Sequence, residues 1–180
     1  AQFGDATLAA NHILLQFISM SAYFLDGFAN VTEMIAGQAY GAKKRQRFIR
    51  AVIDNTVVAA TSALTLSLLL LVFGHLFIQA LTPDTELQSI ATQHIGFAAF
   101  YVFMSFIAFQ FDGVFIGVTN SKAMRNSTVI ALISMLTTGY LLTPSLGNIG
   151  LWMALIVFII ARGVVLSVYY PRILNSTKWQ

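Results

Sequence analysis

The run LTLSLLLLVF, residues 64–73, decides the fold class, because its last six residues carry no polar side chain. A strand of a membrane barrel alternates apolar and polar residues over about ten positions, and this run does not keep that alternation. The run ALIVFIIA, residues 154–161, lacks it as well. Inside hydrocarbon every backbone N–H and C=O must be satisfied within the protein, which leaves the helix as the spanning structure. Both runs therefore predict α-helices that cross a bilayer.

The composition of the whole chain supports the same class. Hydrophobic residues make up 57% of the sequence, charged residues 9%, and the mean hydropathy is +0.76. A soluble domain carries charge on about a quarter of its residues. A bilayer is crossed by roughly 17–25 apolar residues of helix. We predict an all-α, polytopic membrane protein with a single membrane domain and five transmembrane helices, at approximately 8–36, 52–81, 91–117, 128–144 and 149–170.

The basic residues predict how these spans are oriented. Nine of the ten Lys and Arg residues lie in three alternate connections, 43–50, 122–125 and 172–178, whereas the tenth is Arg162 within the last span. Because cytoplasmic loops are enriched in Lys and Arg, we expect these three regions inside the cell and the N-terminus outside. The cytoplasmic C-terminus follows from the odd number of spans. A chain that starts outside without a signal peptide is expected to follow an earlier helix, as part of a larger protein.

Two sequence blocks carry a resemblance to a known family. The segment YFLDGFANVTEMIAGQAYGAKKRQRF, residues 23–48, resembles the multidrug and toxic compound extrusion (MATE) family, in which a helix ends in a G-Q-x-x-G-A turn followed by basic residues. The segment FQFDGVFIGVTNSKAMRNS, residues 109–127, is similar to the DinF-like branch, in which a helix passes through Asp-Gly and a basic turn into Arg-Asn-Ser.

The resemblance implies a transporter made of two six-helix lobes in the bacterial inner (plasma) membrane. The five spans would form most of the C-terminal lobe, and the N-terminal lobe would be the missing partner. Organic cations or other amphipathic drugs would leave through a cavity between the lobes, in exchange for H⁺ or Na⁺. Some branches of the family use an acid on the tenth helix, and Asp112 lies on the corresponding helix, nearer the cytoplasmic end than the acid of those branches.

Polar residues of the first span form a row on one helix face. Tyr23, Asp26, Asn30, Glu33 and Gly37 follow one another at intervals of three or four residues. Such a row cannot face lipid, because charged side chains inside a membrane are costly. The row either lines a cavity, where its carboxylates bind a proton or a cationic substrate, or holds two helices together.

The third and fifth spans contain the other intramembrane charges. Ser105, Asp112 and Thr119 are spaced as a second polar stripe, and Gly113 and Gly117 have the spacing that lets a neighbouring helix approach closely. We expect Asp112 in a tight helix contact.

A charge deep in the last span needs a partner or a route to the headgroups. Arg162 either extends toward the headgroups or pairs with an acid, Asp112 being favoured over Asp26. An ion pair within the membrane is therefore predicted.

Other functions fit the sequence less well. A lipid or oligosaccharide flippase of the same superfamily is the main alternative, but such a protein is expected to place more cationic residues in its cavity. No H-E-x-x-H, G-x-S-x-G or P-loop motif supports a membrane-embedded enzyme. A non-transporting membrane partner leaves the acidic rows unexplained. With no cysteine and no metal-ligand spacing, we expect no metal and no cofactor beyond the coupling ion. Since the basic residues are explained by topology, we expect no nucleic-acid partner.

Overall fold

Five long α-helices form the structure, a computed structural model that describes residues 4–176 and 179. The helices are α1 Asp5–Gly41, α2 Arg45–Leu81, α3 Thr85–Gly117, α4 Ser121–Leu146 and α5 Asn148–Leu174. Each is long and apolar enough to cross a membrane. Within the described residues there is no β-strand, so the all-α polytopic fold is confirmed. Lys178, one of the residues used to predict orientation, lies outside the described residues.

The helices extend beyond the apolar segments that the sequence indicates. α2 begins at Arg45 and α4 at Ser121, each seven residues before its apolar segment. Helical hydrogen bonding continues through polar residues, whereas the sequence boundary marks only where apolar residues begin. The α3 N-terminus is capped by Asp84, whose carboxylate accepts hydrogen bonds from the backbone N–H groups of Glu86 (2.9 Å) and Leu87 (3.3 Å).

Two turns of the same geometry close α1 and α3 at one end of the bundle, which we call the basic end. Lys43 has φ 58° and Thr119 has φ 56°, although neither is glycine. The residue after each turn donates its N–H to a carbonyl five residues back, at 2.9 Å in both cases (Lys44 to Ala39 and Asn120 to Phe115). Thr119 therefore lies in a turn beyond the helix, and the prediction that it continues the polar stripe of α3 is wrong.

At the other end, which we call the opposite end, the connections are short. Residues 82–84 join α2 to α3, and Gly147 alone, at φ 58° and ψ −129°, joins α4 to α5. A Cβ placed on Gly150 would lie 2.7 Å from the Leu142 carbonyl carbon, so the two helices meet closely. The predicted spans 128–144 and 149–170 leave four residues between them, but the connection is a single residue because α4 continues through Pro144 to Leu146. α4 and α5 pack against each other as an antiparallel hairpin.

α3 is the central helix of the bundle. It packs against α1, α2 and α5, while α4 packs almost entirely against α5. A core near the basic end surrounds Phe48, Phe115 and Leu166, and a second core near the opposite end surrounds Leu14 and Trp152.

Candidate functional site

The polar row of α1 lies on an open face of the bundle. Tyr23 is 78% exposed, Asp26 and Asn30 are also exposed, and Glu33 is partly buried. The other side of α1 is turned inward, with Leu25 and Ala29 almost completely buried. None of the four other helices covers Asp26 and Asn30 at the centre of the row. That the row lines a cavity stays a prediction.

The two intramembrane charges of α3 and α5 are paired. Arg162 Nη2 lies 2.7 Å from Asp112 Oδ2, and the side chains are 26% and 17% exposed. This is the partner that the sequence favoured over Asp26. The pair is joined through one atom of each ion, since the buried Asp112 Oδ1 and Arg162 Nε have no hydrogen-bond partner. An Arg–carboxylate pair can form two parallel hydrogen bonds, so each ion keeps capacity for a further ligand.

Asp26 belongs to the same neighbourhood without taking part in the pair. Within the described residues the one salt bridge is Arg162–Asp112. The Asp26 carboxylate nevertheless lies close enough for its charge to act on Asp112. Two acids on α1 and α3 and one arginine on α5 thus share a region that is partly open to the outside of the bundle.

Glycines position these acids by letting α1 and α3 touch through their backbones. A Cβ on Gly113 would clash with the Ala29 carbonyl oxygen, and one on Gly117 would lie 2.5 Å from the Glu33 carbonyl oxygen. A Cβ on Gly37 would in turn lie 2.9 Å from the Gly117 carbonyl oxygen. The close approach predicted from the spacing of Gly113 and Gly117 is present. It also explains the first glycine of the G-Q-x-x-G-A turn.

A buried hydrogen bond at this contact was not predicted from the sequence. Gln110 Nε2 donates to Thr32 Oγ1 at 2.5 Å, and both side chains are buried. Gln110 Oε1 is buried without a partner. The sequence indicated only that Gln110 faces the same neighbour as Gly113, because the two residues are one helical turn apart, and it did not indicate Thr32 as the partner.

A second polar network was also missed, at the opposite end. Asn11 and Asn148 exchange two side-chain hydrogen bonds (2.6 and 3.1 Å), and Trp152 Nε1 donates to Asn11 Oδ1 at 3.0 Å. The network ties the start of α1 to the start of α5. No local sequence pattern predicts this network, because its partners are 137 or more residues apart.

The described residues contain no group of three or more His, Cys, Asp or Glu side chains that could hold a metal ion. The site is therefore built from an acidic row, one ion pair and a glycine contact. Such an arrangement suits the reversible binding of protons or cations.

The family model described as MatE matches residues 1–144 of this chain. The chain belongs to the MatE family. This is a family of transporters, and transport rather than catalysis is what its members share. With five apolar helices, the chain is part of a multi-pass membrane protein.

Individual MatE relatives cover almost the whole chain. DNA damage-inducible protein F of Escherichia coli (strain K12) is 32% identical over 179 residues, which are 99% of this chain and 39% of the relative. Protein DETOXIFICATION 42 of Arabidopsis thaliana is 24% identical over 166 residues, 92% of this chain and 32% of the relative. The chain thus spans 39% and 32% of the lengths of these two relatives. The DinF-like resemblance is confirmed.

The fold agrees with a solved MATE structure. The eukaryotic MATE transporter AtDTX14 superposes with a TM-score of 0.86 over 92% of this chain and 38% of that one, at 14% identity. This likeness shows the fold alone, and it places the five helices within a MATE-type architecture.

Proposed function

We propose that the chain forms most of the C-terminal lobe of a secondary active exporter of organic cations and amphipathic drugs, driven by inward H⁺ or Na⁺. The exporter lies in the bacterial inner membrane, with the basic end in the cytoplasm and the N-terminus of this chain outside. The observation that carries the proposal is the open acidic row of α1, with the Asp112–Arg162 pair beside it.

The chemistry of the row suits a positively charged substrate. Asp26 supplies a carboxylate at an exposed position within a membrane-spanning helix. Tyr23 and Phe24, 78% and 55% exposed, offer aromatic faces beside it, and an organic cation is attracted to such faces as well as to the carboxylate. A proton or Na⁺ competes for the same carboxylate, which is the basis of exchange.

Export requires a second lobe across from the row. Alternating access arises when two bundles rock around a shared site near the middle of the membrane. The row of α1 lies uncovered in the five-helix bundle, as expected of a surface that faces a cavity shared with another lobe.

A flippase for anionic lipids or oligosaccharides is less well supported by the charges. Asp26, Glu33 and Asp112 outnumber Arg162, and that arginine is already held by Asp112. An anionic headgroup entering this region would meet uncompensated carboxylates.

Reconstitution of the complete protein tests the proposal. Liposomes that are acidic inside, or loaded with Na⁺, are expected to accumulate ethidium, a fluorescent organic cation, and to lose it when the gradient is dissipated. Asp26→Asn is expected to reduce this uptake strongly, while Asp54→Asn, an exposed acid outside the row, leaves it near normal. Movement of a fluorescent anionic lipid without ethidium uptake would support the flippase instead, and movement of neither would contradict transport.

A further inference from the structure

A chain of side-chain contacts joins α4 to α5 at the basic end of the bundle. Arg125 Nη2 donates to Asn126 Oδ1 at 3.3 Å, and Asn126 Nδ2 donates to the Tyr169 hydroxyl at 3.2 Å. The Arg172 guanidinium carbon lies 4.6 Å from the centre of the Tyr169 ring, which is a cation–π contact. Two exposed arginines on neighbouring helices are thus supported by one partly buried Asn–Tyr bridge.

These arginines are not balanced by acids. The sequences of α4 and α5 contain no Asp or Glu. The one salt bridge among the described residues is made by Arg162 and involves neither Arg125 nor Arg172. Lys122, which is exposed and one helical turn before Arg125, adds a third positive charge. Because a guanidinium has five N–H donors, both arginines keep capacity for an anion.

Both arginines lie at the depth of phospholipid headgroups. The apolar segment of α4 begins three residues after Arg125, and the apolar segment of α5 ends two residues before Arg172. At 1.5 Å per residue, the two positions are about 3–5 Å outside the hydrocarbon. The headgroup layer on each side of a bilayer is roughly 5–8 Å thick, so both guanidiniums can reach a lipid phosphate.

Apolar side chains continue from each arginine toward the middle of the membrane. Val129 lies one turn deeper than Arg125 and is 49% exposed, while Val168 lies one turn deeper than Arg172 and is 63% exposed. Since α4 packs almost entirely against α5, it lies at the edge of the described bundle. On each helix the arginine and an apolar surface for acyl chains therefore occur on the same face.

We propose that Arg125 and Arg172 bind the phosphate of an anionic phospholipid, whose acyl chains lie along Val129 and Val168. The planar fork of a guanidinium matches the geometry of a phosphate, and basic pockets between membrane helices suit anionic headgroups. An anionic lipid is favoured over a zwitterionic one, because the ammonium group of phosphatidylethanolamine would find no carboxylate on either helix. The site concerns the surrounding lipid and does not depend on the transported substrate.

The proposal gives separate roles to the residues of the Arg-Asn-Ser segment. Arg125 contacts the phosphate, whereas Asn126 holds Tyr169 in place beneath Arg172. Asn126 and Tyr169 are positioning residues, because they act on the phosphate only through the arginines. Ser127 is buried, and its hydroxyl donates to a backbone carbonyl of its own helix at 2.8 Å.

Lipid binding to the complete purified protein tests the site. Native mass spectrometry in a mild detergent measures the affinity for phosphatidylglycerol, with phosphatidylethanolamine of the same acyl chains as the zwitterionic comparison. Glycerol phosphate, which has the phosphate but no acyl chain, distinguishes a lipid site from a free phosphate site. Arg47→Gln/Arg50→Gln is the matched control, since it also removes two exposed arginines from the basic end. All variants are compared as monodisperse protein after gel filtration.

Arg125→Gln/Arg172→Gln is expected to weaken phosphatidylglycerol binding about 25-fold, since each basic residue at a membrane surface contributes roughly fivefold. Tyr169→Leu keeps both arginines but removes their support, and it should weaken binding by about two- to fivefold, the contribution of an exposed cation–π contact. The control variant should bind as the unaltered protein does.

Three outcomes would overturn the proposal. Equal weakening in the control variant would show a general attraction to positive charge. Equal affinity for phosphatidylethanolamine would show that the apolar surface alone binds lipid. Binding of glycerol phosphate as tight as that of the lipid would show a site for free phosphate.

Discussion

The Arg162–Asp112 pair allows a quantitative test of how intramembrane charges stabilise this bundle. Arg162→Gln leaves the Asp112 carboxylate without its counter-ion, and Asp112→Asn leaves the guanidinium without its own. Removal of one partner from a buried pair costs roughly 3–5 kcal/mol, because an uncompensated charge remains. The pair is joined through a single contact and its members are 26% and 17% exposed. We therefore expect each single substitution to lower the free energy of unfolding by about 3 kcal/mol, near the lower limit of this range.

The double substitution separates pairing from independent effects. With both charges absent no buried ion is left uncompensated, so the double variant is expected to regain much of the stability that either single variant loses, and its loss should fall below about 3 kcal/mol rather than reach about 6, the sum of the two single losses. For a chain of this size 1 kcal/mol corresponds to about 2–4 °C in Tm, so each single variant should melt roughly 6–12 °C lower.

These shifts are measured by heating the protein in detergent and recording the fraction that remains monodisperse at each temperature. Arg47→Gln, which removes an exposed charge at the basic end, is the control and should change stability by less than about 0.5 kcal/mol. Strictly additive losses in the double variant would show that the two ions do not stabilise each other, and would refute the reasoning.

Four further predictions follow from the same structure. If the basic end is cytoplasmic, an impermeant thiol reagent added to cells labels Asp84→Cys and not Lys44→Cys; the reverse pattern would invert the orientation. Gly113→Ala forces α1 away from α3 and should lower stability by about 1–3 kcal/mol, whereas Gly27→Ala, which meets nothing within 4 Å, should be neutral or slightly stabilising; equal effects would contradict the close contact. The 180-residue chain expressed alone should not confer energy-dependent dye efflux on cells that lack other pumps, because one lobe cannot alternate; efflux would show otherwise. Asp26→Asn in the complete protein should abolish proton-driven efflux with expression intact, and normal efflux from about pH 6 to 8 would leave Asp26 a structural role.

The number and type of helices were predictable because hydrocarbon imposes a simple rule on composition. Runs such as residues 64–73 have no other stable structure inside a bilayer, whatever their neighbours are. The helix ends were not predictable in the same way. Arg45 and Ser121 begin helices that start outside the apolar segments, where hydrogen bonding and capping decide the boundary. Thr119 was assigned to α3 because nothing in its side chain indicates the left-handed backbone that it adopts.

Parts of the candidate site were predictable because an unpaired charge inside a membrane is energetically costly and therefore requires a counter-ion. Arg162 needed a counter-ion, and Asp112 was the acid at a suitable depth. The spacing of Gly113 and Gly117 indicated a close helix contact, which is made with α1. What the spacing could not supply is the identity of the neighbour, so the Gln110–Thr32 bond and the Asn11–Trp152 bond became evident only in three dimensions. Both join residues that are remote in sequence and common in type.

Because α4 packs almost entirely against α5, the order of synthesis affects when α4 can join the bundle. α2 and α3 can each pack as soon as they have left the translocon, since each contacts a helix synthesised before it. Among the described helices α4 has almost no earlier partner and packs mainly against α5, which is 27 residues long. At about 5–20 residues per second, synthesis of α5 takes roughly 1–5 seconds. During that interval α4 lacks its main packing partner among the described helices, so we expect it to be more accessible to membrane proteases than α1, α2 or α3.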